Sequence, residues 1–70
     1  MHKFYIICNC IKANSVYGIK LGDTYAGEGR INDDGSVDYL IRIPGSPYGP
    51  QLYKSEWFGN YFRIESARVF

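Results

Sequence analysis

The sequence predicts a small all-β protein built from five short strands. Three observations support this: segments rich in aromatic and β-branched residues recur, Gly and Pro interrupt the chain at short intervals, and residues 10–22 carry no sustained helical stripe. The chain is expected to form a single domain, 1–70, because 70 residues leave room for one core only.

The first predicted strand covers residues 3–9, which are dense in Phe, Tyr and Ile. Side chains alternate between the two faces of a strand, so Phe4, Ile6 and Cys8 share one face and Tyr5 falls on the other. This alternation predicts a strand that is buried on at least one side.

A long loop and a second strand follow. Residues 10–22 lack periodicity and predict a loop that folds back on itself, with Ile19 and Leu21 anchoring it to the core. Residues 23–30 predict the second strand, in which two glycines indicate a bulge or a sharp bend.

The middle of the chain carries the strongest local signal, the sequence "NDDG" at 32–35, which is typical of a hairpin turn. The alternating residues 36–43 predict the third strand. Residues 44–50 hold all three prolines and predict a loop, because proline cannot donate to a strand ladder. The short fourth strand is predicted at Gln51–Lys54.

The last part of the chain predicts a single turn followed by the fifth strand. The sequence "SEWF" at 55–58 is expected to form one helical or 3₁₀ turn, with Ser55 as its cap. Residues 59–60, Gly-Asn, permit a tight reversal, and the last strand is predicted at 61–65.

Charge and hydropathy narrow the classes of function. Eight Lys and Arg against seven Asp and Glu give a net charge of +1, so no strong field favours nucleic acid or an anionic membrane. The apolar run "FYIIC" is far shorter than the roughly 20 residues that span a bilayer, and no signal-peptide pattern is present. A cytoplasmic protein without a cofactor is expected.

Candidate catalytic and metal-binding residues are few. Cys8 and Cys10 lie two apart in a strand, which does not suit a disulfide, and with His2 they fall short of the usual four zinc ligands. Asp33 and Asp34 belong to the turn, where adjacent acids are usually solvated. We therefore expect free thiols, no metal site and no enzymatic activity.

Two motifs resemble a known family. "LGDTYAG" at 21–27 is similar to the "L-x-x-G-K-x-Y-x-V" element of small SH3-like proteins common in bacteriophage and bacterial genomes, and "LYKSEWF" at 52–58 is similar to their "W-Y-P-K-E-W-F" ending. The resemblance implies a five-stranded, partly open SH3-like barrel with one 3₁₀ turn before the last strand and with Phe58 facing the core. It also implies a phage or mobile-element origin, and a host protein as the target that the chain binds or inhibits.

The chain departs from the SH3 domains that bind proline-rich peptides. Those domains carry an "A-L-Y-D-Y" sequence, an acidic first loop and a tryptophan pair opening the third strand, and the sequence has none of these. Proline-peptide recognition of the usual kind is therefore not expected. The phage-type relatives mostly lack an assigned activity, so the resemblance gives a fold more readily than a function, and our hypothesis is a non-catalytic protein-binding module in the bacterial cytoplasm.

The aromatic residues divide into a predicted core and a predicted surface. The core is expected to contain Phe4, Ile6, Leu21, Tyr25, Val37, Tyr39, Ile41, Phe58, Phe62 and Ile64. The remaining rings are predicted to be partly exposed and to bind the partner: Tyr17, Tyr48, Tyr53, Trp57 and Tyr61. Trp and Tyr are enriched at interface hot spots, which favours protein binding. The alternative is that these rings only cover the ends of a barrel too small to hide them.

Two further partners remain open on the sequence. Nucleic acid is the alternative function, since bases could stack on the exposed rings while Arg30, Arg42, Lys54, Arg63 and Arg68 contact phosphates. A second copy of the chain could pair through an open strand edge, because barrels of this type are only partly closed.

Overall fold

A computed structural model describes residues 2–14, 18–47 and 49–69. These residues form five antiparallel strands in one sheet and a short helix, which confirms the predicted all-β class and strand number. The elements are β1 (His2–Cys10), β2 (Thr24–Ile31), β3 (Val37–Ile41), β4 (Gln51–Lys54), α1 (Ser55–Tyr61) and β5 (Phe62–Val69). In the described chain, no helix is long or apolar enough to cross a membrane.

The strands are ordered β4-β3-β2-β1-β5, and the sheet does not close, so β4 and β5 form its two edges. The predicted hairpin turn joins β2 to β3, where Ile31 pairs with Val37. Gly35 has a φ of 88°, which glycine adopts at little steric cost, and the N–H of Asn32 donates to the Ser36 carbonyl at 2.8 Å. The hairpin prediction is confirmed.

The first loop is anchored at one of its two predicted positions. Ile19 is buried and bridges to Asn14, as expected. Leu21 is 68% exposed, and the prediction that it joins the core is wrong. It lies in a tight turn at residues 21–22, where Gly22 has a φ of 87° and donates its N–H to the Cys10 carbonyl at 3.0 Å, so Leu21 is left outside the core.

The core lies on one face of the sheet and beneath the helix. Its buried side chains are Ile6, Cys8, Cys10, Ile19, Tyr25, Ile41, Ile43, Tyr53, Phe58 and Phe62, with Phe4, Tyr39 and Tyr61 packed against them. Ile64 was predicted to belong to this set, but it is 37% exposed. The reason is its position on the edge strand β5, where only β1 covers it from the side.

The glycines of β2 do not mark a bulge. The register of β2 with β1 and β3 runs through both glycines without a shift, and the irregularity lies instead between β1 and β5, at Ile7 and Cys8. Gly29 is opposite Phe4, whose ring covers the glycine where a side chain would otherwise stand. Glycine is needed at this position for close packing rather than for a turn.

The element before the last strand, predicted as one helical or 3₁₀ turn, is a seven-residue α-helix, so the helical form is present and it is longer than one turn. Ser55 does not cap it, because the N-cap is Lys54 and no described side chain caps the first turn. The Ser55 hydroxyl instead donates to the Val37 carbonyl at 2.6 Å, which ties the start of the helix to β3. The predicted reversal at Gly59 is wrong as well, since Gly59 lies inside the helix and β5 begins directly after it.

Candidate functional site

Trp57 and Phe58 are neighbours in α1 and lie on different sides of the helix. Phe58 is buried and stacks on Tyr39, with ring centroids 3.9 Å apart, and on Phe62 at 5.4 Å. Trp57 is 58% exposed. Successive residues of a helix are rotated by about 100°, so the burial of Phe58 directs Trp57 toward solvent. The predicted core position of Phe58 and the predicted exposure of Trp57 are both confirmed.

The other predicted surface rings do not form one exposed set. Tyr53 is only 8% exposed, so its expected exposure is wrong. It pairs with Tyr39 across β3 and β4, and its ring packs edge-on against Phe62 at 5.4 Å. Tyr17 and Tyr48 lie outside the described residues.

Tyr61, at the end of α1, is half-buried and joins the core to the surface. Its ring centroid lies 6.2 Å from that of Tyr53, and the ammonium group of Lys12 lies 5.6 Å from the centroid of the Tyr61 ring. A cation over an aromatic face at this distance is attracted by the ring quadrupole. Tyr61 is therefore held between the core and a lysine of the first loop.

These rings border a groove at the β4 edge of the sheet, with a volume of about 290 Å³. We call it the Trp57 groove, and its lining residues are Asn14, Leu52, Tyr53, Lys54, Trp57 and Tyr61. Buried Tyr53 lies at the bottom, and exposed Trp57 and Leu52 stand at the rim. Leu52 was not identified as a surface residue from the sequence. The available signal was its alternation with Tyr53 on a short edge strand, where successive side chains point to opposite faces.

A lysine and an ion pair lie beside the groove. Lys54 lines it, and its ammonium group lies 3.1 Å from a carboxylate oxygen of Asp38. Hydrogen bonds from Asn32 and then from Lys54 hold the pKa of the Asp38 carboxyl below its usual range. With Lys12 on Tyr61, the groove presents an apolar, aromatic interior with two lysines beside it.

The two cysteines are free and buried, as the sequence predicted for free thiols. Burial, with smaller contributions from Cys10 and Glu65, raises the pKa of the Cys8 thiol to about 11. The Cys8 thiol donates to the Tyr25 carbonyl at 3.5 Å. A buried thiol that stays protonated is a weak nucleophile, so Cys8 acts here as a packing residue.

The remaining candidates for chemistry do not converge. Among the described residues, no three His, Cys, Asp or Glu side chains come together in a way that could hold a metal ion. Asp34 lies in the hairpin turn and accepts hydrogen bonds from the hydroxyl and the N–H of Ser36, at 2.6 and 2.9 Å. The sequence assigned it to the turn, and the structure gives it that role.

A second surface, which the sequence did not indicate, surrounds Tyr5 on the face of the sheet turned away from the core. Tyr5 is 52% exposed and borders two cavities, of about 370 and 140 Å³. Among the described residues, this surface shares no lining residue with the Trp57 groove.

Comparison of the chain with protein-family models, with curated proteins and with solved structures gave no match. Assignment of a function therefore depends on the two surfaces themselves.

Proposed function

We propose that the chain is an SH3-like, non-catalytic protein-binding domain that receives its partner in the Trp57 groove. The observation that carries the proposal is an exposed tryptophan beside an apolar groove whose bottom is an ordered cluster of rings. The SH3-like part is supported by the strand order β4-β3-β2-β1-β5 and by a helix between β4 and β5 that contains the "SEWF" motif.

The groove suits one apolar side chain of a partner. Its volume of about 290 Å³ is at the small end of ligand sites, so it has room for a side chain rather than for a large cofactor. Trp57 is exposed, whereas Tyr53 and Tyr61 below it are fixed by the core, so little conformational entropy is lost when a partner binds. Such a rigid aromatic position is typical of an interface hot spot.

One lysine beside the groove indicates the chemistry of the partner segment. The ammonium group of Lys12 lies over the Tyr61 ring and favours an acidic group next to the apolar side chain that enters, whereas the charge of Lys54 is already compensated by Asp38. The resemblance to phage and bacterial proteins extends the proposal to a host protein as the partner. Because fold does not determine function, this last step rests on analogy.

The test is a pull-down from a nuclease-treated bacterial host lysate, with wild-type protein and the Trp57→Ala variant. Tyr5→Ala is the matched control, because it also removes an exposed ring but lies outside the groove. We expect the wild type and Tyr5→Ala to capture the same protein and Trp57→Ala to lose it. If Trp57→Ala, folded by circular dichroism, keeps every partner, the ring only covers the end of the sheet and the proposal fails.

A further inference from the structure

The register of the sheet places most of the basic residues of the chain on one of its two faces. Residues paired across antiparallel strands share a face, so each basic residue can be assigned from its partner. The face turned away from the core, which we call the outer face, includes Tyr5 and Ile7. It carries six of the eight Lys and Arg: Lys3, Arg30, Arg42, Lys54, Arg63 and Arg68.

Acidic residues are scarce on the same face. Glu28 and Asp38 are the two of the seven acids that the register assigns to it, and Glu65 falls at the register shift without a partner on β1. Six cations and two acids leave the outer face with a net charge of +4, against +1 for the whole chain. The near-neutral net charge of the whole chain argued against a nucleic-acid partner, but it does not reflect the excess of cations on this face.

Both acids of the outer face are already paired. Glu28 lies 2.9 Å from Arg30, and Asp38 lies 3.1 Å from Lys54. The other four cations, in the part of the chain that the structure describes, form no ion pair: Lys3, Arg42, Arg63 and Arg68. Their charge is available to an anionic partner.

Tyr5 stands among these free cations. It pairs with Glu28 on one side and with Arg68 on the other, and Lys3 precedes it by two residues on the same face. The cavity of about 370 Å³ between Tyr5 and β5 is bordered by Arg68, and the cavity of about 140 Å³ toward β3 is bordered by Arg42. An exposed ring therefore lies between two arginines.

We propose that the outer face binds single-stranded nucleic acid, with a base stacked on Tyr5 and phosphates contacted by Lys3, Arg42 and Arg68. Stacking platforms flanked by cations are how proteins hold single strands without reading sequence, since every base offers a face to a ring. In a duplex the faces of the bases are stacked on one another, so a duplex could contact only the cations of the outer face. The proposal is independent of the Trp57 groove, which lies at the β4 edge.

The test is fluorescence anisotropy with a labelled oligothymidylate of about 12 nucleotides, a length within the usual range of single-strand sites. Tyr5→Ala is expected to weaken binding by about 5- to 150-fold, the loss that corresponds to one stacked base. Neutralising three phosphates gives a salt slope of about −2, so affinity should fall by roughly 20-fold between 50 and 200 mM salt. Arg42→Gln and Arg68→Gln should each make that slope about 0.7 shallower.

Two control variants locate the site. Lys20→Gln removes the same charge away from the outer face and should leave the affinity and the salt slope nearly unchanged. Trp57→Ala should also bind normally, which separates this proposal from the protein-binding one. All variants are first checked for folding by circular dichroism.

Five results would overturn the proposal. The first four are no binding at low salt, full affinity in folded Tyr5→Ala, equal weakening by Lys20→Gln and Arg42→Gln, and loss of binding in Trp57→Ala, which would place the strand in the groove. The fifth is equal affinity for polyglutamate of the same length, because the outer face would then bind any polyanion and stacking on Tyr5 would be contradicted.

Discussion

Replacing Gly29 with alanine should destabilise the protein, because the Phe4 ring occupies the space that the new methyl group needs. Gly29 and Phe4 are directly opposite each other in β2 and β1. A Cβ atom at Gly29 would lie 2.6 Å from the Phe4 Cε1 and Cε2 atoms and closer still to Cζ. The ring would have to leave this position and weaken its edge-on contact with Tyr39, now 6.3 Å between centroids.

The expected magnitude follows from two opposing effects. Overpacking costs about 1–3 kcal/mol, and replacing Gly by Ala in a strand returns roughly 0.5–1 kcal/mol of backbone entropy. A net loss of about 1 kcal/mol would lower the Tm by about 4–8 °C in a domain of this size. Urea and thermal unfolding can be followed through Trp57, the only tryptophan of the chain.

A Phe4→Leu background tests whether the Phe4 ring is the cause. In a Phe4→Leu protein the smaller side chain leaves room for the methyl group, so Gly29→Ala should become neutral or stabilising by about 0.5–1 kcal/mol. If Gly29→Ala destabilises both backgrounds equally, contact with the Phe4 ring is not the reason that glycine is required.

Three further predictions follow from the core, the thiol and the hairpin. Phe58→Ala should lower the free energy of unfolding by about 3–5 kcal/mol, because it removes a buried ring that stacks on Tyr39. If the wild-type free energy of unfolding is smaller than this loss, chemical denaturation of the variant would show no folded baseline. Burial raises the pKa of the Cys8 thiol to about 11, so the folded state is stabilised by the protonated thiol. This stabilisation is complete below pH ~8.5 and is lost as the pH rises toward 11, and the free energy of unfolding falls by at most about 3 kcal/mol. Unfolding of Cys8→Ala measured from pH 8 to 11 should show a smaller decline than the wild type, and an equal decline would contradict the assignment. Hydrogen bonds from the hydroxyl and then the N–H of Ser36 lower the pKa of the Asp34 carboxyl. The ionised carboxylate therefore stabilises the fold above its ordinary pKa of 3.8, and this stabilisation disappears as the pH falls through the lowered pKa. The Asp34→Asn variant should lose less stability on acidification than the wild type.

Features that depend on neighbouring residues could be predicted from the sequence. The hairpin at 32–35 follows from turn chemistry, and Phe62 follows from the alternation of the last strand. Phe58 was expected in the core from the resemblance of "LYKSEWF" to the ending of the SH3-like proteins, and Trp57 was expected at the surface because it was left over from the predicted core. Each of these predictions is confirmed.

Features that depend on strand pairing could not be predicted in the same way. Tyr53 is buried because β4 pairs with β3 and places its ring on Phe62, and Ile64 is partly exposed because β5 is an edge strand. The collection of cations around Tyr5 depends on which residues pair across β1, β2 and β5. Alternation within one strand cannot show which of its faces will meet a charged neighbour.

The emission of Trp57 gives the most direct test of the central claim, that the Trp57 groove receives a protein partner. The protein captured by the wild type is titrated into it, a Trp57→Phe variant supplies the partner's own emission as a blank, and calorimetry measures binding independently. We expect a blue shift and protection from acrylamide quenching that saturate at the calorimetric Kd, because the exposed ring becomes buried. Calorimetric binding with unchanged emission and unchanged quenching of Trp57 would contradict it.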